Sequence, residues 1–366
     1  MSQYTVLLAF CMGDFDVIKK RSLRKLLISF SITVGVAVLV AAGIYAAMRR
    51  FVRMPDVAQY VIVQIPVTPS NRPQPSPNRP QDTNPDAEYI TERFYRRAGF
   101  HTFLIFGRDE GLNMDTIMVA AFDTQSRNAY IVSLPRDTRV ESDRRQGRSK
   151  LVASYAVGRQ GGGGHEGGVE QLMTEVQSLI GFRPDYYVSV DLQAFIRLVD
   201  TIGGVEVTVP FHMRYTDPIQ NLHIDLPAGT RRLNGQQASH FARFRLADEG
   251  FRAATDIQRT QHQQMILRAA MNELLSPRTI TRLPELVRIY MDNVTTDLGY
   301  DYLLGFANDI RANGIANLHT ETIPIDRTIR AGWYEVPCKE GTLDLVNRTI
   351  NPFEREILPE MLRIVP

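Results

Sequence analysis

Cysteine is nearly absent from this sequence, since the 366 residues contain only Cys11 and Cys338. A small secreted domain held together by disulfides needs several pairs, so that class of protein is excluded. The two cysteines also flank a long apolar segment that would place them on opposite sides of a membrane, where they cannot pair. The fold must therefore be stabilised by a hydrophobic core, and 44% hydrophobic residues are enough to build one.

A broad basic face is also missing. Residues 1–85 hold ten Lys or Arg and four Asp or Glu, which leaves 32 basic and 36 acidic residues in 86–366. Proteins that bind nucleic acid carry clustered positive charge, so a nucleic-acid partner is not expected. The glycine run 161–168 lacks both the Gly-Lys-Ser/Thr of a Walker loop and the GxGxxG turn of a dinucleotide site. We predict a flexible loop there, with His165 exposed.

One segment is long and apolar enough to cross a membrane. Residues 26–48 contain no charge over 23 positions, and a helix of that length spans a hydrocarbon core of about 30 Å. The upstream flank 19–25 contains five Lys or Arg, and the downstream flank 49–53 contains three. Because the more basic flank usually stays inside, this bias predicts that the tail 1–25 lies in the cytoplasm. The alternative is a cleaved signal peptide, whose apolar core usually runs about 7–15 residues.

A proline-rich segment follows the apolar one. Residues 65–85 contain seven prolines, a composition typical of extended polyproline conformation with roughly 60 Å of reach. We therefore interpret 49–88 as an extracytoplasmic linker that separates the membrane from a domain spanning 89–366. A merely disordered linker is the alternative.

Strand and helix patterns alternate through that domain. The bulky apolar runs at 100–107, 116–123, 129–135, 185–191 and 203–210 predict buried strands. Apolar residues recur at helical spacing in 166–181, 192–203 and 263–275. This alternation predicts an α/β fold, in which a central mixed β-sheet is flanked by helices in α-β-α layers.

Two loops after predicted strands contain residues suited to ligand binding. Asp109 and Asp115 lie six positions apart, and carboxylates suit hard cations such as Mg²⁺, although acidic residues in loops also cap turns. Arg136 and Asp137 follow the third strand, where ligand-binding residues collect. A turn closed by its own ion pair is the alternative for this second pair.

Arginine is concentrated in 241–264, where lysine does not occur. Arg243 and Arg245 end a predicted helix, and Asp256, Arg259 and Gln263 lead into the next one. Guanidinium groups bind phosphate in a bidentate manner, so this segment is suited to a polyanion. A solvated face, the alternative, usually intersperses Lys and Glu.

Taken together, MDTIMVAAFD, IVSLPRDTRV, DYYVSVDLQAFIRLVDTIGGVEVTVP, LHIDLPAGTRRLNGQQASHFARFR and DIQRTQHQQ resemble the LytR-CpsA-Psr family of membrane-anchored bacterial cell-wall phosphotransferases. The resemblance covers residues 101 to about 275, with the motifs in order. It implies an enzyme that takes a glycopolymer linked through pyrophosphate to a polyisoprenyl lipid. The polymer phosphate, from an anionic glycopolymer such as a teichoic acid or capsular polysaccharide, would be transferred to a peptidoglycan hydroxyl.

The resemblance also implies roles for individual residues. Asp109 and Asp115 match the family's site for Mg²⁺ or Mn²⁺, and Asp137 and Asp256 match positions that orient arginines. The positions that match pyrophosphate ligands are Arg136, Arg243, Arg245, Arg259 and Gln263, and Asp115 with the first three of these arginines would form the catalytic centre. The chemistry is reasonable, because phosphoryl transfer depends mainly on positioning and charge neutralisation.

The sequence departs from the family at two positions where arginine is usual. Asn113 lies two residues before Asp115, and His262 lies three residues after Arg259. The loss of two positive charges should weaken pyrophosphate binding unless Arg108 or Arg252 substitutes. A non-catalytic, membrane-tethered receptor for polyprenyl phosphates or wall polymer therefore remains as a second hypothesis.

A lipid tail would need an apolar slot between the sheet and the helices. Helical spacing proposes eight lining residues: Leu172, Val176, Leu179, Phe195, Ile196, Val199, Met265 and Ile266. Stripes of this kind also form ordinary cores, so spacing alone does not separate the two.

The apolar segment makes the topology testable. We predict that residues 50–366 lie outside the cytoplasmic membrane, because 26–48 is uncharged and its upstream flank is the more basic one. Protease added to intact spheroplasts should digest the domain and leave a short tail. A domain that is fully protected until the membrane is permeabilised would contradict this orientation.

Overall fold

The computed structural model describes residues 54–66, 89–108, 114–140, 150–218, 222–274, 276–330 and 332–365. Residues Asp56–Gly299 and Ala307–Pro366 form one compact unit, and a second unit comprises Met1–Pro55 with Tyr300–Phe306. The predicted span 26–48 lies outside the described residues. Within the described ranges, no helix combines the length and the apolar character that crossing a membrane requires.

The central sheet is mixed, as the sequence predicts. Its six strands within the described residues have the spatial order β11-β6-β3-β4-β5-β12. Strands β3, β5, β6 and β12 all run in one direction, whereas β4 and β11 are antiparallel to their neighbours. The strands are β3 (Phe100–Arg108), β4 (Met114–Asp123), β5 (Asn128–Ser133), β6 (Tyr186–Asp191), β11 (Val294–Thr296) and β12 (Asn317–Thr322).

The other strands form two-stranded ribbons. The predicted strand at 203–210 is present as β7, but it pairs with β10 outside the central sheet. Strand β1 pairs with β2, β8 with β9, and β13 with β14. The ribbon strands are β1 (Tyr60–Pro66), β2 (Tyr89–Tyr95), β7 (Val205–Val209), β8 (Met213–Asp217), β9 (Leu222–Leu226), β10 (Gly229–Leu233), β13 (Ile325–Ile329) and β14 (Tyr334–Pro337).

Helices accompany the sheet in the order that the sequence pattern indicates. The helix predicted from residue 263 begins earlier, at Asp256, so Arg259 and Gln263 lie on it. The described helices are α1 (Leu151–Gly158), α2 (Gly164–Ile180), α3 (Leu192–Thr201), α4 (Gly235–Arg243), α5 (Asp256–Leu274), α6 (Leu283–Asn293), α7 (Tyr300–Asn313) and α8 (Lys339–Thr349).

The two faces of the central sheet are covered to different degrees. On the first face, Leu104 and Phe106 of β3 are fully buried in a core that also contains residues of α1, α2 and α8. On the second face, Phe103 and Ile105 of the same strand are only half-buried. A second core forms between β7–β10 and α3–α5. The second face is therefore less completely covered among the described residues, and we call the surface formed by its half-buried apolar side chains the apolar groove.

The proline-rich segment is not a spacer. Strands β1 and β2 pair along their full length, and Pro66 lies opposite Tyr89. The two ends of the segment between them are therefore neighbours across one strand pair, so it cannot separate the membrane from the domain by 60 Å. Residues from Asp56 onward belong to the compact unit, so the part of the predicted linker 49–88 that the structure describes includes strand β1. The boundaries of the linker stay a prediction.

The glycine run is only partly a loop. Residues Arg159–Gly163 form an exposed, kinked turn with a non-helical backbone at Gly162, where φ is 97°, and α2 begins at Gly164. A Cβ on Gly158 would lie 2.2 Å from the carbonyl oxygen of Gly167, so the close approach of α1 and α2 requires glycine there. His165 is half-buried rather than exposed. Gly158, Gly167 and Gly168 are needed for helix packing, whereas a Cβ at Gly161, Gly162 or Gly164 would meet no atom within 4 Å. Composition cannot distinguish the two uses of glycine.

The contact between α3 and α4 generates a prediction. A Cβ on Gly235 would lie 2.1 Å from the carbonyl oxygen of Ile196, and this backbone atom cannot move aside as a side chain would. We expect Gly235→Ala to lower the free energy of unfolding by about 2–3 kcal/mol. Thermal and urea unfolding followed by circular dichroism measure the change.

The matched control is Gly161→Ala, because a Cβ at Gly161 meets no atom within 4 Å. Its unfolding free energy should stay within about 0.5 kcal/mol of the parent value. Equal stability of the two variants would contradict the close approach of α3 and α4.

Candidate functional site

The parallel strands of the central sheet bring the candidate residues to one edge. Because β3, β5, β6 and β12 run in the same direction, they all end at the edge that carries Arg108, Ser133, Asp191 and Thr322, which we call the carboxyl edge. Antiparallel β4 starts there at Met114. Ligands of open α/β sheets bind beyond this edge, so the topology favours a site there.

The predicted metal ligands flank the hairpin between β3 and β4. Asp109 and the side chain of Asp115 lie outside the described residues, but their neighbours Arg108 and Met114 are paired across the two strands. The chain therefore leaves the sheet at Arg108 and re-enters it six residues later at Met114, both at the carboxyl edge. The site for Mg²⁺ or Mn²⁺ at these two carboxylates stays a prediction.

Arg136 and Asp137 lie in the loop that follows β5. The Arg136 Nε lies 3.7 Å from Asp137 Oδ2, and Lys150 Nζ lies 2.8 Å from Asp137 Oδ1. The backbone N–H of Val152, at the start of α1, donates to the carbonyl oxygen of Arg136. Asp137 thus holds two cations, of which the sequence indicated only one, because Lys150 is separated from it by thirteen positions.

A side-chain amide attaches helix α5 to the same edge. The Nε2 atom of Gln264 lies 3.1 Å from three oxygens: Ser133 Oγ at the end of β5, and Glu321 O and Thr322 Oγ1 at the end of β12. One turn further along α5, Arg268 donates to Thr320 Oγ1, which lies further back on β12. Helix α5 therefore runs antiparallel to β12, and its first two turns, from Asp256 to Gln263, project beyond the carboxyl edge.

Two more arginines lie next to the start of α5: Arg243 at the end of α4 and Arg245 just after it. Gln263 Nε2 lies 3.5 Å from the carbonyl oxygen of Ala242, and the N–H of Ala254 donates to the carbonyl oxygen of Arg245 at 2.9 Å. The structure thus brings together Arg243 and Arg245 with the helical turn that carries Arg259 and Gln263. Arg259 is 8% exposed, Arg243 is half-buried and Arg245 is exposed. The side chain of Asp256 lies outside the described residues.

His262 does not replace the missing arginine charge. Its ring is 3% exposed, and its centroid lies 4.6 Å from that of the Phe241 ring. Burial lowers the pKa of His262 to about 4, so the ring is neutral at ordinary pH. Its Nδ1 atom has no hydrogen-bond partner among the described residues.

The two proposed substitutes, Arg108 and Arg252, both contact aromatic rings. Arg108 donates from Nε to Ser189 Oγ at 2.8 Å and from Nη1 to Tyr155 OH at 3.1 Å, on the first face of the sheet. The guanidinium carbon of Arg252 lies 4.7 Å from the centroid of the Phe211 ring. Neither contact involves the arginines of α4 and α5.

A polar network that the sequence did not reveal extends from Arg108. The hydroxyl of Tyr155 lies 2.7 Å from His165 Nδ1, and His165 Nε2 lies 3.4 Å from the hydroxyl of Tyr187. Burial, assisted by the charge of Arg108, lowers the pKa of His165. The network fixes the residue that immediately precedes Asp109. An isolated histidine in a glycine run gave no signal for it.

The structure separates the eight residues predicted to line a lipid slot. Leu172, Val176 and Leu179 are buried in the core on the first face, so they cannot line the groove on the second. The remaining five lie on α3 and α5, where Val199 and Ile266 are buried and the rest are half-buried: Phe195, Ile196 and Met265. A core stripe and a slot stripe have the same helical spacing, which explains why the prediction merged them.

Comparison with known proteins identifies the family. The model of the LytR_cpsA_psr family matches residues 76–349, which is more than half of the chain. The chain belongs to the LytR-CpsA-Psr family. The resemblance predicted from the motifs is thereby confirmed.

Three relatives show how similar this chain is to known proteins. The teichoic acid transferase TagV of Bacillus subtilis is 27% identical over 187 residues, which cover 50% of this chain and 44% of TagV. The regulatory protein MsrR of Staphylococcus aureus is 26% identical and aligns over 63% of this chain and 66% of its own length. The teichoic acid transferase TagU of Oceanobacillus iheyensis is 26% identical, with coverages of 75% and 83%. The chain thus spans less than two thirds of TagV and MsrR.

Solved structures share the fold of this LytR-CpsA-Psr domain. The crystal structure of B. subtilis TagV has a TM-score of 0.55 and 22% identity. The match covers 74% of this chain and 100% of the crystallised TagV chain. TagT bound to LI-WTA has a TM-score of 0.54 and 20% identity, with coverages of 70% and 92%. At this identity the likeness supports the mixed sheet flanked by helices.

Buried His262 predicts an acid sensitivity. The unfolded chain takes up a proton below about pH 6.5, whereas the folded chain keeps His262 neutral down to about pH 4. Stability is therefore lost as the pH falls through this window, by about 2 kcal/mol between pH 7.5 and 5. His262→Gln should remove most of this loss, measured as the difference between unfolding free energies at the two pH values. His223→Gln, at an exposed histidine, is the control, and equal losses in all three proteins would contradict the prediction.

Proposed function

We propose that this protein is a membrane-anchored glycopolymer–peptidoglycan phosphotransferase. Its donor is an anionic glycopolymer linked through pyrophosphate to a polyisoprenyl lipid, and its acceptor is a peptidoglycan hydroxyl. The hydroxyl oxygen forms a bond to the phosphorus attached to the polymer, the bond between the two phosphates breaks, and polyprenyl phosphate leaves. Relatives named as teichoic acid transferases support this substrate class.

The observation that supports the proposal best is the grouping of Arg243, Arg245, Arg259 and Gln263 beyond the carboxyl edge. Two linked phosphates require several donors that approach from different directions, and this group includes donors from α4, α5 and the chain between them. Arg136 follows β5 at the same edge. Charge-assisted hydrogen bonds from arginine are strong and directional, so they can hold the pyrophosphate while the acceptor attacks.

Asp109 and Asp115 would hold Mg²⁺ or Mn²⁺ at the same edge. When bound, such an ion supplies positive charge to the phosphoryl oxygens and favours the departure of polyprenyl phosphate. The protein's own part is to hold the two carboxylates at the ends of the β3–β4 hairpin, whose neighbours Arg108 and Met114 are paired. Asp137 keeps Arg136 and Lys150 in place.

The lipid tail would occupy the apolar groove on the second face of the sheet. Half-buried side chains line it from both layers: Phe103 and Ile105 on β3, Val188 on β6, Phe195 and Ile196 on α3, and Met265 on α5. A polyprenyl chain removes this apolar surface from water, at about 25 cal/mol for each Å² covered. We further propose that residues 26–48 anchor the chain in the cytoplasmic membrane, with the domain outside.

The second candidate function is a non-catalytic receptor for the same lipids or for wall polymer. The neutral, buried His262 favours it, because a positive charge that the family usually provides is absent there. Binding needs fewer charges than catalysis does, since a transferase must also neutralise the charge that develops on the leaving phosphate. The two candidates therefore differ in turnover rather than in ligand.

Three variants of the full chain test the two candidates. Asp115→Asn should abolish transfer of labelled glycopolymer to peptidoglycan, while binding of a short-chain prenyl pyrophosphate in metal-free buffer changes by less than about threefold. Arg243→Ala and Arg245→Ala should each weaken that binding about tenfold to a hundredfold, because each removes a charge-assisted hydrogen bond of about 1.5–3 kcal/mol. Isothermal titration and a filter assay for transferred polymer make the two measurements.

The control is Arg288→Ala, since Arg288 is exposed on α6 and forms only a surface pair with Asp292. Its affinity should stay within about twofold of the parent value. Binding without any transfer by the parent chain would replace the transferase with the receptor. Arg243→Ala and Arg245→Ala variants that bind like Arg288→Ala would contradict both candidates.

A further inference from the structure

The hairpin formed by β13 and β14 stands directly beside the candidate site. Strand β12 ends at Thr322 on the carboxyl edge, and the N–H of Ile323 still donates to the carbonyl oxygen of Ser133. Strand β13 begins two residues later, at Ile325. The hairpin therefore rises from the same edge that carries the arginines.

Backbone hydrogen bonds attach this hairpin to the loop of Arg136 and Asp137. The N–H of Glu335 donates to the carbonyl oxygen of Asp137 at 3.0 Å, and the N–H of Arg139 donates to the carbonyl oxygen of Glu335 at 2.8 Å. Two cations also lie over the ring of Tyr334: Arg139 at 5.9 Å and Lys150 at 5.5 Å. The hairpin and the loop therefore form one rigid wall of the site.

Trp333 lies at the tip of this hairpin, and nothing in the fold accounts for it. It is the chain's one tryptophan, and 67% of its surface is exposed. Its backbone has a φ of 54°, in the left-handed region where a bulky residue is an outlier and glycine is the usual choice. A large ring that is exposed and held in an unfavourable backbone conformation indicates a ligand-binding role.

We propose that Trp333 is a sugar-binding platform on which a pyranose ring of a polysaccharide stacks beside the transfer site. One face of a pyranose presents C–H groups, which are attracted to the negative face of an aromatic ring. The inference deepens the proposed function, on which it rests, by adding a subsite for the carbohydrate part of a substrate.

Because Trp333 is the chain's one tryptophan, fluorescence excited at a wavelength that the 14 tyrosines do not absorb reports on this site. The full chain in detergent is titrated with a peptidoglycan tetrasaccharide of alternating N-acetylglucosamine and N-acetylmuramic acid, and separately with lipid-free wall teichoic acid. We expect a saturable change of emission. A response to the tetrasaccharide assigns the platform to the acceptor, and a response to the teichoic acid assigns it to the donor. No response to either polymer overturns the proposal.

A membrane surface is the competing partner, since exposed tryptophan also favours the lipid interface. The full chain is therefore reconstituted into phosphatidylcholine and phosphatidylglycerol vesicles whose acyl chains carry bromine, which quenches tryptophan on contact. Emission should remain unquenched. Strong quenching together with no sugar response would show that the ring enters the membrane, and would overturn the proposal.

Substitutions separate the ring's role from that of the fold. By calorimetry, Trp333→Ala should bind the responding polymer about fivefold to tenfold more weakly, whereas Trp333→Phe, which keeps a flat ring, should retain most of the affinity. Met291→Ala, at a residue 62% exposed on α6, is the matched control and should bind normally. Equal affinities of Trp333→Ala and Met291→Ala would contradict the proposal.

The Tm of Trp333→Gly separates a binding role from a structural one, because the two roles predict changes of opposite sign. Glycine accepts a positive φ, so this variant should raise the Tm by about 2 °C or more while sugar binding falls. A lower Tm would show that the ring supports the fold, and would overturn the proposal.

Binding of a short-chain prenyl pyrophosphate separates this inference from the proposed function. Trp333→Ala should bind it within about twofold of the parent value. If the parent chain binds the sugar polymer but not the prenyl pyrophosphate, the platform stands and the proposed function falls. If it binds the prenyl pyrophosphate but neither polymer, the platform alone falls.

Discussion

The geometry of the candidate site depends on the side-chain amide of Gln264. Its contacts with Ser133, Glu321 and Thr322 fix helix α5 to the ends of two parallel strands, so that the turns before it extend past the sheet. Several arginines can then approach one another although like charges repel. Helix α5 is held in place by these contacts, so it cannot move to reduce the repulsion as a loop would. A bound polyanion would reduce the repulsion by supplying negative charge. A rigid group of positively charged donors is suited to phosphates for this reason.

The remaining elements of the site are held with comparable rigidity. Arg136 is restrained by Asp137, which Lys150 pairs from the start of α1. Arg108 is held by Ser189 and Tyr155, and Tyr155 in turn contacts His165. Arg136 and Arg108 are thus each held in place by polar side chains from other parts of the fold. This arrangement preserves the directions of the donors when the ligand leaves, which lowers the cost of binding the next one.

The sequence predicted those parts of the fold that depend on local pattern. Strands β3 to β6 are mostly apolar runs with turn residues between them, so their positions followed directly, whereas the meeting of their ends at one edge required the pairing of the strands. The pairing of β1 with β2 did not, because closing a long loop costs little more entropy than closing a short one and leaves no trace in composition. Leu172 and Phe195 have the same helical spacing, although one lies in the core of the first face and the other beside the groove. Lys150 pairs with Asp137 across thirteen positions, a distance at which sequence carries no pairing signal.

The pairing of Pro66 with Tyr89 changes where the site can work. If 26–48 is the membrane anchor, only residues 49–59 connect it to β1, and eleven residues span at most about 40 Å when fully extended. The domain is then tethered close to the lipid headgroups. A polyprenyl pyrophosphate presents its phosphates at that same surface, because its tail stays in the bilayer. With a short tether the arginines reach the phosphates while only part of the tail has to leave the membrane for the groove. A 60 Å spacer would allow the domain to move away from its donor, so under the proposed function a short tether suits a protein that takes its substrate from the membrane.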